Sequence, residues 1–229
     1  MTKEQRLKKR HNAEKRFRFY GLASILLAIF FVFFLLNAIF SKGSGAFLKT
    51  TIDVEVNFNA ETLELSEKPT TEDLENADYY DLAIDSILNV INVSGLDEEK
   101  SLINLFSPDY EYEIRRFLIN KPNVLKQTVV LKLTSSDDFD QLHKGNYPRD
   151  LPEDRRRIDN FQLNIYDTLV EEDKVDKIFN SYLFTKGDSR NPELAGIGGA
   201  LVGSFFTIVI TLLLSFPIAI AASIYLEEF

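Results

Sequence analysis

A run of 33 residues, Leu194 to Leu226, carries no charged side chain: LAGIGGALVGSFFTIVITLLLSFPIAIAASIYL. No water-soluble domain of modest size accommodates such a segment easily, so it constrains the whole chain. As one helix it would be about 50 Å long, against a bilayer core of about 30 Å. The glycine-rich start, Gly196 to Gly199, is therefore expected at the outer interface or in a turn, with the span proper beginning near Ala200. Gly199 and Gly203 stand four apart, a small-residue face that lets another helix approach closely. Pro217 lacks an N–H and is expected to kink the helix. The chain stops at Phe229, just after Glu227 and Glu228, with no further anchoring flank. That ending predicts the front part of a longer membrane protein.

A second uncharged run, Phe19 to Ser41, has 23 residues, about 34 Å as a helix and enough to span. Ahead of it lie eight Lys/Arg against Glu4 and Glu14 within residues 1–18, a net of +6. Such a basic flank beside an apolar span is a topology signal, carried here by Lys8, Lys9, Arg10, Lys15, Arg16 and Arg18. The same bias explains the run without invoking nucleic acid. The apolar run exceeds the roughly 7–15 residues of a cleaved signal core, so a retained anchor with a cytoplasmic N-terminus is expected. The chain then divides into a basic head (1–18), a first transmembrane helix (19–41), an extracytoplasmic α+β domain (42–194) and a second transmembrane helix (195–229). The overall charge of −9 hides this division, because residues 42–194 carry 18 Lys/Arg against 31 Asp/Glu, a net of −13.

Residues 42–194 are long enough to bury a core of their own, and with no cysteine they must do so without disulfides. Ile52, Val54, Val56 and Phe58 alternate with polar residues and predict a half-buried strand. Thr70 is expected to cap a long helix with Glu72 and Asp73 in its first turn, facing inward through Leu74, Ala77, Tyr80, Ile84, Ile87, Leu88 and Ile91. Gly95 breaks the pattern; a short helical piece follows around Glu98–Phe106, and Ser107-Pro108 restarts a helix facing inward through Ile114, Phe117 and Leu118. Gln127 to Thr134 reads as a second strand. A helix starts at Ser135-Ser136-Asp137-Asp138, another runs from about Glu153 to Glu171, and residues 175–185 suggest a last strand. Lys186 to Pro192 is a turn-rich hinge. First and last strands adjoin the two apolar helices in sequence, so pairing them would bring both ends of the domain together.

The chemistry on offer is sparse. Asp137, Asp138 and Asp140 lack the glycine turn and distal glutamate of a calcium loop, and are read as helix capping. Arg155, Arg156 and Arg157 could collect an anion, but three consecutive residues on a helix point in three directions, so they are read as a solvated face paired with Glu153, Asp154 and Asp159. His11 and His143 stand alone, and no serine has an evident His/Asp partner. Gly196-Ile197-Gly198-Gly199 fails the spacing of a dinucleotide loop, and Asn92-Val93-Ser94 matches a glycosylation acceptor by spelling only. No catalytic residue, metal site or cofactor is expected. The topology alone fits two classes equally: a permease, or a two-span membrane sensor with a periplasmic ligand-binding domain.

Residues 199–229, GALVGSFFTIVITLLLSFPIAIAASIYLEEF, resemble the first span of the permease core in PstA-type phosphate ABC transporters. The Ser-Phe-Pro turn and the ending Ile-Tyr-Leu-Glu-Glu-Phe carry that likeness. A subgroup with an extra N-terminal domain is similar further upstream. There the matching pieces are Leu7-Lys8-Lys9-Arg10, Ala13 to Arg18, Ser41-Lys42-Gly43, Thr50-Thr51-Ile52, Thr134 to Asp138 and Thr185 to Ile197. The resemblance implies a permease subunit of an ATP-driven phosphate importer in a bacterial inner membrane. It further implies a second permease subunit, cytoplasmic ATPase subunits that hydrolyse the ATP, and a periplasmic phosphate-binding protein. The pore helices and ATPase-coupling loop of that family lie beyond Phe229, so no substrate-binding residue is assigned within this stretch.

Overall fold

The computed structural model describes residues 3–66, 69–93 and 95–228, with side chains from residue 13 onward. It comprises two units, Met1–Gly45 and Ala46–Phe229. The first is a single helix, α1 (Lys3–Gly43), which runs without a break through both the basic head and the apolar run. Its described side chains are exposed apart from Ala38, which is half-buried, and the stretch Ala13–Phe47 is long and apolar enough to cross a membrane.

The second unit is built on a three-stranded antiparallel sheet of β1 (Leu48–Asn57), β2 (Thr128–Thr134) and β3 (Val175–Phe179), in the order β2-β1-β3. The alternation in β1 works as expected: Ile52, Val54, Val56 and Phe58 are all fully buried. They pack into one core with Ile87, Leu102, Ile114, Leu118, Phe139 and Leu169 from the surrounding helices. These helices are α2 (Thr71–Asn76), α3 (Tyr80–Leu88), α4 (Leu96–Ile103), α5 (Tyr110–Asn120), α6 (Asp137–His143) and α7 (Asn160–Glu171). The opposite face of the sheet is polar. There Lys132 bridges Asp53 on β1, at 2.9 Å, and Asp176 on β3.

Register places Leu48 opposite Phe179 and Ile52 opposite Val175. The first and last strands are thus neighbours, as inferred from their places in the sequence. The chain leaves β3 into a short helix, α8 (Tyr182–Thr185), passes a 3-10 turn at Pro192–Leu194 and ends in α9 (Gly198–Glu228). This last helix, also long and apolar enough to cross a membrane, has no buried residue.

Several expected boundaries shift, each for a local reason. The helix after Thr70 has the expected cap, which forms a reciprocal capping box with Asp73, but stops at Asn76. Ala77 is extended, and the Asp78 carboxylate accepts the Tyr80 N–H at 2.9 Å to start α3 afresh. The break turns Tyr79 into the core, with its hydroxyl donating to the Leu74 carbonyl, and leaves Tyr80 exposed. The helix expected from Glu153 begins at Asn160, because Asp159 and Gln162 form a capping box there. Glu153 belongs to a separate 3-10 turn and accepts hydrogen bonds from Asn160. The helix expected at Pro108 starts at Tyr110, and the strand expected to reach residue 185 ends at Phe179, where α8 takes over.

Candidate functional site

The segment between β3 and α9 is where the domain meets its apolar helix, and a buried polar cluster lies against it. Lys49, on the second residue of β1, is buried. Its Nζ donates to the Thr134 hydroxyl at 2.7 Å, lies 3.7 Å from the Glu113 carboxylate and sits 3.7 Å above the Tyr182 ring. Glu113 gathers the donors. Its Oε2 accepts the Thr134 N–H at 2.8 Å, and its Oε1 accepts the Tyr182 hydroxyl at 2.8 Å and the Thr134 hydroxyl. Arg116 donates to the Tyr182 oxygen at 2.9 Å, and Lys186 covers the same ring while pairing with Asp109 at 2.6 Å. Burial lowers the Lys49 pKa against the pull of Glu113, with Lys186 and Arg116 adding repulsion. Burial and the adjacent Glu113 push the Tyr182 phenol up. Four elements, β1, β2, α5 and α8, are therefore locked by groups far apart in sequence.

From α8 the lock passes to α9. The Ile197 N–H donates to the Leu183 carbonyl and the Gly196 N–H to the Gly187 carbonyl, each at 2.7 Å. A Cβ at residue 196 would lie 2.3 Å from the Tyr182 carbonyl oxygen, and one at residue 198 would lie 2.2 Å from that of Phe184. Only glycine permits the backbones to meet so closely. The glycine-rich start of the apolar run is thus a seat on α8, and α9 begins at Gly198, close to the expected Ala200.

Beside this joint lies a cavity of about 160 Å3 between β1, α6 and the 3-10 turn before α9. Asp140 spans it. One oxygen accepts from the Thr50 N–H (2.9 Å) and hydroxyl (2.7 Å), and the other from Lys144 at 2.6 Å. Glu193 accepts the Ser107 hydroxyl at 2.9 Å. Burial raises the carboxyls of Glu193 and Asp137, with the neighbouring aspartates adding to both. The reading of the aspartates as capping groups needs correction. Ser136 occupies the cap position without a side-chain bond, and Asp140 ties α6 to β1. Among the described residues, no group of three His, Asp or Glu is placed to hold a metal.

The arginine run also departs from expectation. Arg155 closes a 3-10 turn and Arg156 is extended, so the helical geometry that would separate them does not exist. Arg155, Arg156 and Arg157, with Arg149, line a cavity of about 190 Å3 whose other walls include Leu142, Leu151 and Leu163. Their partners are not the expected Glu153, Asp154 and Asp159. Arg149 grips Asp167 at 2.6 and 2.7 Å, Arg157 meets Asp138 at 3.3 Å, and Arg156 donates to Asn160. His143 lies 3.2 Å from the Tyr166 hydroxyl, its pKa lowered by burial and by Lys177.

Gly199 and Gly203 face open space on α9, and Pro217 lies inside that helix. Lys15, Arg16 and Arg18 are exposed on α1, with Arg18 paired to Glu14 at 2.6 Å. The side chains of Lys8, Lys9, Arg10 and His11 lie outside the described residues, as does Ser94 of the Asn92-Val93-Ser94 triplet. Lys49, Glu113 and Tyr182 were not singled out in the sequence, since nothing local marks residues that meet only through the sheet.

A family model described as a domain of unknown function (DUF3333) matches residues 4–153, which is more than half of the chain. The match takes in α1 and the domain as far as the arginine segment, and stops before β3 and α9. No curated protein and no solved structure matches.

Proposed function

The chain belongs to the DUF3333 family, and we propose that it is the N-terminal part of a permease subunit of an ATP-driven phosphate importer. In this reading α1 and α9 both cross a bacterial inner membrane, the basic head is cytoplasmic, and the α+β domain is periplasmic. Two things support it. Both helices are long and apolar enough to span. The sequence from Gly199 to Phe229 resembles the opening span of PstA-type permeases. That likeness carries most weight, and the seating of Gly196 and Gly198 against the carbonyls of Tyr182 and Phe184 is compatible with it, since it would hold the domain on the first core helix.

In the same reading, a second permease subunit packs against the Gly199/Gly203 face, ATPase subunits supply the energy, and a periplasmic phosphate-binding protein delivers the anion. The chain itself hydrolyses nothing. Labelled phosphate uptake in phosphate-starved cells with and without the gene tests this. Loss of uptake on deletion, restored by the full-length gene, is the expected result. Normal uptake with altered expression of phosphate-responsive genes would instead indicate the two-span sensor.

A further inference from the structure

We propose that Phe47, Phe179 and Phe184, with Leu48 and Ile197, form an apolar collar that sinks into the lipid interface and seats the domain on the bilayer. Eight phenylalanines lie between residues 46 and 197, and these three are the exposed ones. They are gathered in one place: the Phe184 ring stacks on Phe47 with centroids 6.2 Å apart and on Phe179 at 6.1 Å. Leu48 and Ile197, also exposed, extend the patch. Other exposed apolar side chains of the domain, such as Leu96, Tyr112 and Leu151, are scattered singly over different elements, as is ordinary for a protein surface. A contiguous exposed aromatic patch calls for an occupant.

Continuity with α9 identifies that occupant as lipid. The Ile197 N–H is bonded to Leu183, and Gly198 rests on the Phe184 carbonyl, so the aromatic cluster stands at the first turn of the apolar helix. From Gly198 onward no charge occurs until Glu227. If α9 enters the bilayer at its first turn, the collar lies at the depth where aromatic side chains concentrate. Lys177, exposed two residues before Phe179 on the same face of edge strand β3, is placed to meet lipid phosphates. The collar rests on the membrane-spanning reading of α9 but not on phosphate as the cargo.

The chain has no tryptophan, so single replacements report one site each. Phe179→Trp, Phe184→Trp, Tyr112→Trp and Leu213→Trp would be made in the full chain. Each is reconstituted into phosphatidylcholine–phosphatidylglycerol vesicles with or without brominated acyl chains. Tryptophan at 179 and 184 is expected to lose roughly half its emission to brominated lipid, as an interfacial aromatic should, and to resist aqueous iodide. Tryptophan at 112 should behave in the opposite way. Tryptophan at 213 should be quenched by brominated lipid alone. Iodide quenching at 179 and 184 with lipid quenching at 213 would overturn the collar and leave the span intact. Protection of 179 and 184 from both quenchers would also overturn it, since protein would then cover the patch. Absence of lipid quenching at 213 would remove the spanning reading together with the collar.

Discussion

Leu48 and Phe179 are paired partners on β1 and β3, so the first residue of the sheet and the last lie side by side. The point where the chain enters the sheet and the point where it leaves toward α9 are thereby held together by backbone hydrogen bonds. The buried cluster around Glu113 then fixes α8 to the same end of the sheet, and the glycines of residues 196–198 fix α9 to α8. Movement of α9 relative to the domain would have to break one of these layers.

Glu113 is the acceptor on which the cluster depends. Glu113→Ala would leave the Thr134 N–H and hydroxyl, the Tyr182 hydroxyl and the Lys49 ammonium without their shared partner. Breaking a buried charged pair from one side costs about 3–5 kcal/mol, and a loss of that order is expected in thermal unfolding followed by near-ultraviolet circular dichroism. Glu113→Gln, which keeps one acceptor oxygen, should lose less. Equal stability of Glu113→Ala and the parent chain would show that the cluster holds nothing.

Gly196→Ala and Gly198→Ala each drive a methyl group into a carbonyl oxygen. Forcing extra atoms into a packed contact costs about 1–3 kcal/mol, and amide exchange at Ile197 should accelerate as the seat opens. Gly199→Ala meets nothing within 4 Å and should leave the exchange at Ile197 unchanged. If all three variants exchange alike, the seat is not what holds α9.

The contrast between those glycines shows what could be read from the sequence. Length without charge marked both long helices, because a charge-free run is a local property. Alternation marked β1, and the places of the first and last strands anticipated their pairing. Breaks inside helical patterns escaped, since Asp78 and Asp159 act as starts only when competing turns are weighed in three dimensions. The joint escaped for a different reason: Lys49, Glu113, Thr134 and Tyr182 are brought together by sheet topology alone. Gly199 and Gly203 could be singled out by spacing, whereas the close contacts of Gly196 and Gly198 depend on α8, which read as strand.

Acidity should act on the cavity beside the joint. The Glu193 carboxyl is raised above its ordinary value of 4.5 chiefly by burial, so the folded chain binds that proton more tightly than the unfolded chain does. Its contribution to stability is full below the ordinary value and is lost as pH rises through the raised one. Glu193→Gln abolishes this loss. The melting temperature of the variant relative to the parent should therefore be higher at pH 7 than at pH 4. A difference independent of pH would contradict the assignment.

The absence of cysteine makes orientation directly measurable. In intact spheroplasts, Asn123→Cys, on an exposed turn after α5, should react with a membrane-impermeant maleimide, and Lys15→Cys should react only after lysis. The reverse pattern would invert the proposed topology, and labelling of both before lysis would remove the span between them.

Transport itself is the most direct test. The full-length protein would be reconstituted in proteoliposomes with its partner permease, its ATPase subunits and the phosphate-binding protein, and ATP-dependent accumulation of labelled phosphate measured. The permease reading predicts accumulation that requires this chain and discriminates phosphate from sulfate. Accumulation that proceeds equally well without the chain would contradict it.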